Sequence, residues 1–114
     1  MLEILFGSKN RERVLQFILA NQEGYAKEIA DFYETSLDPI QKQLEKMESG
    51  GVLVSKNVGR TRLFMFNPRY AFLNELKALL EKARSFYSPE EIEKLTMQRK
   101  RPRRSGKRYE KYKY

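Results

Sequence analysis

The chain has no cysteine and no histidine. Without cysteine it can build neither a disulfide framework nor a thiolate metal site, and without histidine it lacks the commonest general base and metal ligand. Long apolar runs are also missing: nothing approaches the roughly 20 residues needed to cross a bilayer. The opening MLEILFGSK lacks the basic n-region and cleavage site of a secretory signal. No nucleophile beside a base, no glycine-rich phosphate loop and no ligand cluster can be found. These absences point to a cytoplasmic protein that is not an enzyme, needs no cofactor and binds no membrane. The carboxylates Glu90, Glu91 and Glu93 sit where the first turn of a helix favours negative charge, which explains them better than catalysis does.

What the chain does have is charge, unevenly placed. Of its 114 residues, 23 are Lys or Arg and 15 are Asp or Glu, a net of +8. Residues 98 to 114 hold nine of the basic side chains against the single Glu110, a net of +8, so residues 1–97 are neutral overall. With few apolar residues besides tyrosine, this segment is expected to be a disordered basic tail, able to attract DNA phosphates, RNA or an acidic protein.

The body reads as helices and a hairpin. Ser8 can cap a helix running to about Asn21, in which Val14, Leu15, Ile18 and Leu19 share a face. A short helix follows in AKEIADFY, with Ile29 and Ala30 inward. Ser36 caps a third helix starting near Leu37, where Pro39 is tolerated in the first turn and Ile40, Leu44 and Met47 form an apolar stripe. Gly50-Gly51 ends it. The β-branched and aromatic run VLVSKNVGRTRLFMFNP predicts a hairpin with its loop at Asn57-Val58-Gly59 and the rings of Phe64 and Phe66 on one face. A longer helix is expected from about Arg69 to Phe86, and Ser88-Pro89-Glu90-Glu91 has the form of a capping box opening a last short helix.

The order helix, short helix, tight turn, capped helix, two glycines and basic hairpin is the plan of a winged helix-turn-helix. The stretch EIADFYETSLDPIQKQLEKMESGGVLVSKNVGRTRLFMFNP resembles bacterial and archaeal regulators of the ArsR and MarR kind, most specifically from Gly59-Arg60-Thr61-Arg62 to Asn67-Pro68. Glu34 stands where those families usually have glycine in the turn, and Asp38-Pro39 where they often have a small polar residue. The resemblance implies an α+β fold, mainly helical with a small hairpin. It would comprise a DNA-binding domain over residues 1–68, C-terminal helices over 69–97 and the tail over 98–114.

It also implies roles. Gln41, Lys42 and Gln43 would approach base edges of double-stranded DNA in the major groove, since Gln matches adenine and Lys reaches guanine or phosphate. Ser36 and Lys46 would hold backbone. Lys56, Arg60, Thr61 and Arg62 would lie along the minor groove or flanking phosphates. Phe72, Leu76, Leu79, Leu80, Ala83 and Phe86 form an apolar stripe wider than a small domain needs, which suggests a homodimer. Charge on the third helix opposes DNA binding: Leu37 to Glu48 carries a net of −1, while residues 55–69 carry +4. The rival is a protein-interaction module on the same scaffold, with a polyanion-binding tail.

Overall fold

The computed structural model describes residues 1–97; the basic tail from 98 to 114 lies outside the described residues. Two helices open the chain, α1 (Glu3–Phe6) and α2 (Lys9–Asn21). Ser8 caps α2 as expected, its Oγ accepting from Arg11 N at 3.2 Å. The sequence pattern gives no sign of α1. Its amide end is closed by the carboxylate of Glu12, only 5% exposed, which accepts from Leu2 N at 2.8 Å and from the N-terminal amine at 3.1 Å.

Helix α2 is buried on more than the expected face: every residue from Val14 to Ile18 is buried, as are Glu12 and Asn21. The reason is that other elements enclose it. A two-residue strand β1 (Gly24–Tyr25) and helix α3 (Ala26–Phe32) come next, followed by α4 (Leu37–Ser49). A Cβ on Gly24 would stand 3.1 Å from the side chains of Phe17 and Ile29. Any larger residue would make Phe17 and Ile29 give way by a few tenths of an ångström, so glycine suits the close approach of β1 to the helices.

The turn from α3 to α4 is a Schellman motif. Thr35 N donates to Ala30 O at 3.0 Å and Glu34 N to Asp31 O at 3.2 Å, which places Glu34 in the left-handed region at φ 54°. Helix α4 ends the same way with a residue suited to it. Val52 N donates to Met47 O at 2.9 Å and Gly51 N to Glu48 O at 3.0 Å, with Gly51 at φ 83°.

Strands β2 (Leu53–Val58) and β3 (Thr61–Phe66) form the antiparallel hairpin. Asn57 and Val58 remain in the strand, paired with Arg62 and Thr61, so the loop is Gly59-Arg60 rather than Asn57-Val58-Gly59. Gly59 stands at φ 62°. It supplies the positive φ that a two-residue hairpin loop demands. Strand β1 pairs with β3 through Gly24↔Phe64 and Tyr25↔Leu63, giving a sheet ordered β1-β3-β2.

Helix α5 (Leu73–Arg84) begins four residues later than the apolar spacing predicts. Asn67 Oδ1 accepts from Arg69 N at 3.0 Å, and Tyr70 N donates to Asn67 O at 3.0 Å. These turns hold the segment out of the helix. Helix α6 (Pro89–Met97) opens on the expected capping box. Glu91 N donates to Ser88 Oγ at 3.1 Å and Ser88 N to Glu91 Oε1 at 2.9 Å.

Leu80, Ala83 and Leu95 lie in the same buried cluster as Phe17, Ile29, Ile40, Leu44, Leu53 and Phe64. The boundary expected at residue 68 therefore does not separate two cores. Polar residues of α2 reinforce the join. Gln16 Nε2 donates to Leu80 O at 2.8 Å, and Asn21 Nδ2 donates to Phe17 O at 3.0 Å and to Leu95 O at 3.3 Å.

Candidate nucleic-acid interface

Helix α4 turns Ile40 and Leu44 into the core and leaves Asp38, Gln41, Lys42, Glu45 and Lys46 exposed on the other side. Lys42 and Lys46 stand one turn apart on the exposed face. Neither has an ion-pair partner among the described residues. Ser36 occupies the N-cap position with extended backbone, but its side chain makes no capping hydrogen bond. Its exposed hydroxyl is thus not engaged in holding the helix.

Gln43 departs from its expected role. It is half-buried, and its Oε1 accepts from Arg11 Nε at 2.9 Å, while Arg11 Nη1 donates to Phe6 O at 2.9 Å. The residue ties α4 to α2 instead of facing outward beside Gln41 and Lys42. Its position on the flank of the apolar stripe brings it within reach of α2.

Arg62 also has partners within the chain. It lies on the same side of the hairpin as Phe64 and Phe66, the side turned toward the helices. Its Nη2 donates to Glu48 Oε1, in the last turn of α4, and to Ser55 Oγ at 2.9 Å; its Nε donates to Ser55 Oγ at 3.3 Å. The Ser55 hydroxyl donates in turn to Glu48 Oε2 at 2.6 Å. The guanidinium lies 5.2 Å from the centroid of the Phe64 ring. One carboxylate, one hydroxyl and one guanidinium thus bind α4, β2 and β3 together. Counting the Glu48–Arg62 pair as neutral leaves α4 at zero and residues 55–69 at +3. Arg60 at the loop and Lys56 on β2 are exposed, with no ion pair among the described residues. Thr61 Oγ1 donates to Val58 O at 2.9 Å, closing the loop.

The expected dimerisation stripe splits in two. Leu80 and Ala83 are buried in this chain's own core, and Leu76 and Leu79 pack half-buried against it, because α5 lies on α2. Phe72 and Phe86 remain 63% and 64% exposed.

Behind α3, a groove of about 300 Å³ is lined by Phe32, Tyr33, Glu34, Tyr87, Glu91 and Lys94. Burial raises the phenol of Tyr33 above its ordinary value. Burial, then the charge and hydrogen bond of Glu12, push Tyr87 up to about 12. The Tyr87 hydroxyl donates to Glu12 Oε2 at 3.3 Å.

No family model and no curated relative matches this chain. Among solved structures, a cysteine-and-histidine double mutant of Lactococcus lactis ZitR in its apo form is similar over 81% of this chain and 78% of its own. The TM-score is 0.53 at 18% identity. The adhesin competence repressor AdcR of Streptococcus pyogenes covers 80% of this chain and 80% of its own at 14% identity, with a TM-score of 0.49. The fold is a winged helix-turn-helix. In its terms α3 and α4 are the helix-turn-helix, with Glu34 in the turn, and β2–β3 are the wing. Sequence reasoning missed Glu48, Ser55 and Arg11 as determinants of this surface. Charge counts treat Glu48 and Arg62 as independent, and only the packing of the wing against the end of α4 makes them a pair.

Proposed function

We propose that the chain is a double-stranded DNA-binding transcriptional regulator whose mechanism is occupancy of an operator. The observation that carries this reading is a winged helix in which α4 offers Gln41, Lys42 and Lys46 to the outside, while the wing offers Lys56 and Arg60, all uncommitted to ion pairs among the described residues. In the reading α4 enters the major groove, Gln41 and Lys42 approach base edges, and Ser36 and Lys46 hold backbone. Arg60 takes a narrow minor groove or the flanking phosphates, with Thr61 fixing the loop behind it. Gln43 acts by holding α4 against α2, and Arg62 ties the wing to α4 in the free protein.

The exposed rings of Phe72 and Phe86 support a two-fold dimer, which would set two copies of α4 about 34 Å apart along one DNA turn. The tail, by its charge, supplies sequence-independent attraction that fades with salt.

The test is fluorescence-anisotropy titration of the full chain against duplex from upstream of its own gene and against scrambled duplex, across salt. Preference for the upstream duplex is expected. Lys42→Gln and Arg60→Gln should each weaken binding and lower the salt slope by about 0.9 for each phosphate no longer neutralised. Equal affinity for both duplexes, unaffected by either substitution, would assign binding to the tail and leave the scaffold an interaction module.

A further inference from the structure

Arg62 presents a problem that its place in the wing does not resolve. It is a cation on the side of the hairpin facing the end of α4, with a side chain 45% exposed, yet its Nε and Nη2 donors go to Glu48 and Ser55. Fastening the wing needs no acid there: an amide at position 48 could accept from Arg62 through its oxygen and donate to the Ser55 hydroxyl through its nitrogen. What the carboxylate adds is charge. It meets the guanidinium as a phosphate would, with Ser55 orienting both partners. Glu48 is itself 29% exposed, so the pair lies at the surface. Ion pairs in such a place are weak enough to be exchanged.

We infer that Glu48 is an affinity-setting residue: it stands in for a DNA phosphate on Arg62 in the free protein, and duplex binding exchanges this carboxylate for a phosphate of the backbone. The inference rests on the DNA-binding reading above. The exchange leaves Glu48 as a free carboxylate beside the duplex, where it retains a cation, so fewer counterions are released on balance than in capture of a free arginine. Glu48 therefore weakens binding and flattens its salt dependence. It moderates a protein whose tail would otherwise hold any polyanion.

Glu48→Gln tests this. Glutamine keeps a carbonyl acceptor for Arg62 and turns an amide donor toward the Ser55 hydroxyl while removing the charge. Full-chain protein, tail included in every variant, is titrated by anisotropy against duplex from upstream of its own gene at 50 and 200 mM salt. Glu48→Gln should tighten binding several-fold at 50 mM and steepen the slope by about 0.9, so that the advantage shrinks about threefold by 200 mM. In an Arg62→Gln background the gain should vanish, which separates exchange at Arg62 from a general charge effect. Urea unfolding of each variant checks that the fold is kept.

Weaker binding by Glu48→Gln, or an unchanged slope, while the parent chain still prefers its upstream duplex, would overturn the inference and make Glu48 a structural strut alone. A gain that persists without Arg62 would overturn the exchange as well. Loss of duplex preference in the parent chain would overturn the DNA-binding reading itself, and this inference with it.

Discussion

At the scale of single residues, the turn between α3 and α4 holds Glu34 at φ 54°. A side chain is strained there and glycine is not. Glu34→Gly should stabilise the chain by about 0.5–1 kcal/mol, the relief of left-handed strain less the entropy glycine loses on folding; urea unfolding measures it. A lower midpoint would mean that the side chain stabilises the groove it lines. Tyr87 gives a second expectation. Its pKa rises from 10.0 unfolded to about 12 folded, so the folded chain keeps a proton that the unfolded chain releases. Stability should then fall as pH climbs from 10 to 12. Thermal melts across that alkaline range should show a shallower loss in Tyr87→Phe than in the parent chain.

Among elements, α2 shows where sequence is legible and where it stops being so. Ser8, the apolar spacing of α2 and α4, the Gly50-Gly51 stop and the Ser88/Glu91 box all act locally, and each is found where its residue type predicts. The missed features depend on neighbours distant in sequence. Gln16 and Asn21 are buried because α5 and α6 cover them, β1 is a strand only through its pairing with β3, and Arg62 is neutralised only by the end of α4. The same reasoning divides the α5 stripe. Leu80 is fully buried and Phe86 mostly exposed. Leu80→Ala should cost about 2–5 kcal/mol in chemical denaturation, since it empties the core, whereas Phe86→Ala should cost under about 1 kcal/mol. Phe72→Asp with Phe86→Asp should leave the fold intact and shift sedimentation toward monomer. An unchanged sedimentation coefficient would count against a dimer built on this face.

For the whole molecule, the relevant quantity is how charge is distributed over a fold that is neutral overall. Residues 1–97 sum to zero, and among the described residues Lys42 and Lys46 on α4 stand without ion pairs beside equally unpaired Asp38 and Glu45, so the positive excess lies on the wing, with Lys56 and Arg60. Local concentration of one sign, not net charge, is what would direct a duplex to this surface. NMR chemical-shift mapping of the isotope-labelled full chain with duplex from upstream of its own gene tests this most directly. The largest shifts should fall on Ser36, Gln41, Lys42, Lys46 and Glu48 of α4 and its cap and on Gly59, Arg60 and Arg62 of the wing, with α5 and α6 little changed. Shifts confined to residues 98–114, with α4 and the wing undisturbed, would contradict a regulator that reads DNA through its winged helix.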